Sequence, residues 1–226
     1  MNGESTVRER NVNRAAALDT ATISDALDRL GLVGQCRGIL PRDPSFRLAG
    51  RAYTLRYAVA ANPPGTVGDY IDDVPAGSVL VLDNAGRSEG TVWGDILTEV
   101  AHRREIAGTV IDGICRDVSL CIELGYPVFS AGHWMRTGKD RVQLEATNVP
   151  VSIGGVRVEP GDLLRGDADG VVCITRAVEE RVLTIAEEIA SVEDDIRVAA
   201  RGGMRLDEAR RQFAYHRLQS RERATS

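Results

Sequence analysis

Histidine and cysteine are scarce in this chain, and neither is arranged for chemistry. The histidines are His102, His133 and His216, and the cysteines are Cys36, Cys115, Cys121 and Cys173. No two cysteines form a CxxC pair and no histidine stands at ligand spacing from one, so neither a zinc site nor a Cys/His nucleophile pair can be read here. The cysteines read instead as reduced, mostly buried thiols of a cytoplasmic protein. Long apolar runs are missing as well, which argues against a membrane span. The opening "MNGESTVRERNVNRAA" has no apolar stretch of the kind a signal peptide needs. Basic excess is also absent. A net charge of −5 argues against a protein that coats nucleic acid, since phosphate contacts need clustered Lys and Arg. There is no GxSxG elbow and no Walker A loop, and "NAGRSEG" and "GGVRVEPG" match a dinucleotide fingerprint poorly.

What is present is a chain of 226 residues with ordinary apolar and charged fractions, long enough for a substantial core. Residues 1–17 read as a polar leader that orders only against a neighbour. Residues 18–175 read as one catalytic domain and 176–226 as a helical arm. In "LDTATISDALDRLG", Thr22 is placed to cap a helix that Gly31 ends. Residues 32–50 read as loop. "RAYTLRYAV" alternates like a strand, and "SVLVLD" (78–83) is a short run suited to burial on both faces. A helix is expected from about Asp95 to Glu105, with Ile96, Leu97, Val100 and Ala101 as its apolar stripe and Gly108 as its stop. "TVIDG" and "PVFS" are strands on either side of a short helix over 117–124. From 149 to 174 the helix signal vanishes; a hairpin turns at Gly154-Gly155, and "EPGD" and "DADG" mark further turns. A long helix over 177–201 and a charged one over 206–218 finish the chain. Strand–helix alternation followed by an all-strand block implies an α/β domain with two sheet layers and helical arms at both ends.

Two stretches carry the chemistry, "WGDILTEV" (93–100) and "DGICRDVS" (112–119). Both lie where a strand hands over to a helix, where unpaired amide groups collect and α/β folds place ligands. Gly94 permits close backbone approach, and the N–H groups of Asp95, Ile96 and Leu97 would converge on an anion. Arg116 could add a charge-assisted bond to the same oxoacid. Asp117 and Asp95 are hard oxygen donors, suited to Mg²⁺ or Mn²⁺ rather than zinc. The plainer alternative stays open: Asp95 and Asp117 as helix caps, with Arg116 and Asp117 an ordinary ion pair. Asp112 reads as a brace for the turn and His102 as part of a solvated face. His133 follows a strand end from which it could approach the site. Trp93 and Trp134 read as wall or core.

Taken together, "TISDALDRLG", "RLAGRAYTL", "WGDIL", "GTVIDGICRD", "YPVFSAG", "VPVSIGGVRVEPGD" and "GDADGVVCI" resemble the regulator of ribonuclease activity A family, over roughly residues 18–175. The most specific element is the paired spacing, with Asp95 placed 21 residues before Arg116 and Asp117 directly after it. The resemblance implies a swivelling β/β/α layered domain assembled as a homotrimer or homohexamer. It implies the activity of the 4-hydroxy-4-methyl-2-oxoglutarate aldolases, which cleave 4-hydroxy-2-oxo acids to pyruvate and decarboxylate oxaloacetate with a divalent cation. On that reading Gly94, Asp95, Ile96 and Leu97 bind the pyruvyl part of the substrate, Arg116 stabilises the enolate, and Asp117 ligates the metal with Asp95 nearby. A Glu from a neighbouring subunit's C-terminal helix completes the shell; Glu193 is the first choice and Asp194 the second. No lysine stands at the motif to form a Schiff base. The segment "HWMRTGKDRVQLEATN" departs from the family pattern, so selectivity for the distal part of the substrate would lie there. A non-enzymatic regulator that binds a ribonuclease is the alternative within the same family.

Overall fold

The run Ser78–Asp83 is buried along its length because strands pair with it on both sides. Around it, a computed structural model describes residues 2–215, with side chains from Glu9 onward. In chain order the elements are α1 (Asn2–Ala17), α2 (Thr20–Arg29), β1 (Gln35–Cys36), β2 (Leu40–Pro41), β3 (Leu48–Val59), β4 (Ser78–Asp83) and α3 (Asp95–Arg103). Next come β5 (Gly108–Cys115), α4 (Val118–Glu123), β6 (Val128–His133), β7 (Val142–Thr147), β8 (Val151–Ile153) and β9 (Val156–Val158). The chain continues through β10 (Leu163–Asp167), β11 (Gly170–Ile174), α5 (Glu179–Arg201) and α6 (Leu206–Gln212).

The main sheet runs β1-β11-β10-β3-β4-β5-β6-β2, and β7 pairs with the far part of β3. Its centre, β3 to β6, is parallel, and its flanks are antiparallel. The β8–β9 hairpin forms a second small sheet. Two carboxylates, Asp83 at the end of β4 and Asp112 within β5, tie it down: Asp83 Oδ2 accepts from Ser152 N and Asp112 Oδ2 from Gly154 N, each at 3.0 Å. Burial and the facing Asp83 raise the Asp112 carboxyl above its ordinary range. This is the expected mixed α/β architecture with helices at both ends. All four cysteines are buried free thiols, and no helix among the described residues is long and apolar enough to cross a membrane.

Several local expectations need correction. Residues 32–50 are not plain loop: they form β1 and β2 and begin β3, short edge pairings whose Gly- and Pro-rich sequence hides them. The cap of α2 is Asp19, which accepts from Thr22 N at 2.7 Å, three residues before the Thr chosen from sequence. The stop of α3 is Glu105, at φ 57°, while Gly108 already opens β5. Ile96 is 74% exposed and Thr98 takes its place in the core, because the Trp93 indole N–H needs the Thr98 hydroxyl at 2.9 Å. The strand β7 was not read at all. The last expected helix is seen over Leu206–Gln212; Leu218 and His216 lie outside the described residues.

The polar start of the chain is helical and contacts α5 of its own chain. Asn11 Nδ2 donates to Glu179 at 3.0 Å, and the Arg14 fork grips Glu187 at 2.7 and 2.8 Å. Beneath these contacts, Ala15, Leu18, Ile23 and Leu27 pack with Leu163, Ile174, Val182 and Ile189. The α1 sequence is polar because acidic groups of α5 satisfy it. Glu179 is the buried member of this set, held by Arg51 as well as Asn11. Burial works against its charge, but the Arg51 and Asn11 hydrogen bonds outweigh it and hold the carboxyl below its ordinary range.

A folded-state pKa below the unfolded one stabilises above the ordinary glutamate value and is lost as pH falls through the folded value. Glu179→Gln is therefore expected to cost about 1–3 kcal/mol at neutral pH. Urea unfolding at pH 7 and in acid checks this: the gap between the two proteins should close in acid.

Candidate active site

The loop from Asn84 to Gly94 is stitched to β5 step by step. The Asn84 and Gly86 amides donate to Asp112 O, Val92 N donates to Ile114 O, and Arg116 N donates to Trp93 O. Trp93 is 2% exposed and stacks on Tyr126 with ring centroids 5.9 Å apart. These bonds set Gly94, the residue before α3, against the end of β5. A Cβ at Gly94 would lie 2.8 Å from Asp117 Oδ2 and 3.1 Å from Arg116 Nε, so a side chain there would occupy the space these groups use.

Arg116 and Asp117 do form an ion pair, Nε to Oδ2 at 3.1 Å, with each side chain 36% exposed. Asp117 is not, however, the side-chain cap of its own helix. It sits in the left-handed region at φ 56° and makes no capping bond to α4. Asp tolerates that conformation better than most residues, though at a cost. Its carboxylate reaches across to the other helix, where Oδ2 accepts from Asp95 N at 3.1 Å. Asp95 Oδ1 in turn accepts from Ile96 N at 2.8 Å. Two of the amides read from sequence as substrate donors thus already hold carboxylates. The N-terminus of α3 is a carboxylate-accepting end, as the unpaired amides and dipole of a helix start require.

Arg116 lines a cleft of about 540 Å³ with Gly94, Asp95, Ile96 and Leu97; Thr91–Trp93, Val100, Val67–Asp69, Ile71, Asp72 and Thr137–Lys139 complete its wall, and Asp117 stands behind Arg116 rather than in the lining. Of the residues expected from sequence, Gly94, Asp95, Ile96, Leu97, Arg116 and Asp117 are therefore brought together. Glu193 is not: it lies on α5, where it pairs with Arg197 at 2.8 Å. Burial first, and then Asp25 and Asp19, raise its carboxyl above its ordinary range against the pull of Arg197. Asp194 holds the same arginine at 2.6 Å. His133 ends β6 facing Arg42 at 3.5 Å and does not line the cleft. His102 is exposed. Lys139 and Asp69, which do line the cleft, are not among the residues expected from sequence, and nothing local ties either to the motif.

The donor set suits a hard cation. Asp117 and Asp95 offer oxygen only, and burial holds the nearby Cys115 and Cys121 thiols above their usual range, away from thiolate ligation. Among the described residues no group of three or more His, Cys, Asp or Glu side chains gathers within the single chain. The two aspartates would thus be a partial shell, completed by water or another chain.

A sequence profile described as RraA-like, Aldolase/RraA, matches residues 20–173. The chain belongs to this family. Protein DlpA of Legionella pneumophila is 39% identical over 87% of the chain, which spans 32% of that relative's length. A protein of Halalkalibacterium halodurans, provisionally named 4-hydroxy-4-methyl-2-oxoglutarate aldolase, is 34% identical over 84% of this chain and 87% of its own. A crystal structure of an uncharacterized protein from Pseudomonas syringae pv. tomato superposes with a TM-score of 0.84 at 40% identity, covering 89% of this chain and 97% of that one. Streptomyces coelicolor RraAS2, described as an unusual member of the RNase ES inhibitor RraA family, superposes at 0.78 with 27% identity over 84% and 97%.

The close approach at Gly94 makes a simple test. Gly94→Ala should leave the melting temperature within a few degrees, since the clash falls on two half-exposed side chains, but should displace Arg116 and Asp117 and, on the expectation that this site takes a pyruvyl group, weaken pyruvate binding by about tenfold or more. Thermal unfolding and a pyruvate titration check the two halves separately.

Proposed function

We propose that this chain is a divalent-metal-dependent carbon–carbon lyase that cleaves acids of the 4-hydroxy-4-methyl-2-oxoglutarate type to pyruvate and decarboxylates oxaloacetate. The observation that carries the reading is the convergence of the Arg116 guanidinium and the Asp117 carboxylate on the start of α3, at a glycine whose missing side chain leaves them room. The provisional aldolase name of a relative at 34% identity supports it.

Both reactions break a bond next to a 2-oxo acid and leave the enolate of pyruvate. In the aldol case the C4 hydroxyl gives up its proton, the C3–C4 bond breaks, and its electron pair moves into the enolate; in decarboxylation the same bond breaks with release of CO₂. A proton on C3 then yields pyruvate. The helix start binds the substrate carboxylate through its amides. That carboxylate takes the place held by Asp117 Oδ2 at Asp95 N, and turning Asp117 away opens the donor. Arg116 donates to the 2-oxo oxygen, where negative charge grows as the bond breaks. Asp117, with Asp95 beside it, would hold a divalent cation, which would supply Lewis-acid stabilisation of the developing negative charge.

The family also includes RNase ES inhibitors, and ribonuclease binding is the second reading, favoured by the likeness to RraAS2. A pyruvate-release assay with oxaloacetate and with 4-hydroxy-4-methyl-2-oxoglutarate, with and without Mg²⁺, separates the two. Arg116→Lys keeps the charge but loses the planar fork. It should fold and bind metal, yet turn over oxaloacetate about 10²–10³-fold more slowly, mostly in kcat. Asp117→Ala should lose Mg²⁺-dependent turnover with its fold intact. Near wild-type kcat in the lysine variant would reduce the pair to an ion pair alone.

The reading also calls for an oligomer, a homotrimer or homohexamer, in which Glu193 or Asp194 of one copy approaches Asp117 of another. Light scattering should find a multiple of three chains; a monomer at micromolar concentration would remove the shared-shell part of the proposal.

A further inference from the structure

A second cleft, of about 570 Å³, shares no lining residue with the first. Its lining comes mainly from residues 86–90 and from Arg136, Arg141 and Val142, none of which the proposed lyase chemistry uses. Three arginines line it, Arg87, Arg136 and Arg141, against one acid, Glu89. Each guanidinium is rooted without a carboxylate. Arg87 Nη1 donates to Asn84 O at 3.1 Å and to Tyr57 O and Asn84 Oδ1 at 3.4 Å. Arg141 Nη1 donates to Thr137 O and Lys139 O, both at 3.2 Å. The Arg136 guanidinium carbon sits 5.9 Å from the Trp134 ring centroid. Among the described residues none of the three has an acidic partner, although the chain carries 33 acids to 28 bases.

Like charges gathered at one concavity in an acidic protein create a local positive field, and a guanidinium fork anchored on one side presents its remaining N–H groups to an oxoanion. The volume is that of a small-molecule site. Val59 and Val142 supply apolar wall, so the occupant has a carbon skeleton as well as charge. We infer that this cleft binds a small organic polyanion, carrying two or more carboxylate or phosphoryl groups, at a site separate from the substrate cleft. The inference does not depend on the lyase reading.

Calorimetric titration of the full chain in low salt tests it, with citrate as the carboxylate probe and fructose 1,6-bisphosphate as the phosphoryl probe. At least one should bind at one site per chain. The double variant Arg136→Gln/Arg141→Gln, both at exposed positions, should keep its melting temperature and lose affinity by at least about tenfold. Arg116→Ala should retain the affinity. Binding of citrate alone assigns a carboxylate ligand, and binding of the bisphosphate alone a phosphoryl one. The inference is overturned if neither probe binds with a Kd below about 10 mM. It is equally overturned if a folded double variant binds as well as the parent, or if Arg116→Ala abolishes binding, which would put the anion in the substrate cleft.

Discussion

One carboxylate, that of Asp117, joins the two halves of the candidate active site. It accepts from an amide 22 positions earlier in the chain and from the guanidinium beside it. The first contact requires the backbone at Gly94 to pass within side-chain distance of the end of β5. A surface ion pair of this exposure contributes little to stability by itself. Its significance is positional: it marks the point where the helix start of α3, a fixed cation and a hard oxygen donor share one small volume.

The backbone work that brings them together is done upstream. Residues 84–94 form no helix or extended strand, yet they are bonded to β5 at 112 and 114 and to Arg116 just past its end, so they behave as an irregular extension of the sheet. The approach is tight from the start, since a Cβ at Gly113 (φ 152°) would lie 3.0 Å from Asn84 Cβ. Trp93, buried and stacked on Tyr126, then fixes the last step before Gly94. A loop held in this way can place a helix N-terminus as reproducibly as a strand would, and so suits a site in which charge must be met at a defined distance.

The parts legible in the sequence are those whose signal is local. "SVLVLD", "TVIDG" and "PVFS" are apolar runs bounded by Gly or Pro, and they are the parallel strands at the sheet centre. The Gly154-Gly155 turn is legible because only a left-handed-tolerant pair fits it, at φ 54° and 83°. Long-range pairing was not legible. β1, β2 and β7 take their identity from partners more than 80 residues away. α1 looks like a solvated leader because its polar groups find acids some 170 positions on. The grouping of Gly94, Asp95, Arg116 and Asp117 was legible from motif spacing. The direction of the Asp117 side chain was not, since a dipeptide gives no hint that its backbone turns left-handed and sends the carboxylate to a different helix.

That direction has a chemical consequence. A carboxylate capping its own helix would be committed to structure, and drawing it toward a cation would loosen α4. Asp117 makes no such bond, so α4 does not depend on it. The helix start it does occupy, that of α3, can exchange one carboxylate for another at little cost, because the amide stays satisfied whichever oxygen it meets. On the proposed function, the left-handed backbone would separate holding the fold from holding the ligand, and Asp117 would leave Asp95 N without breaking a capping bond of α4.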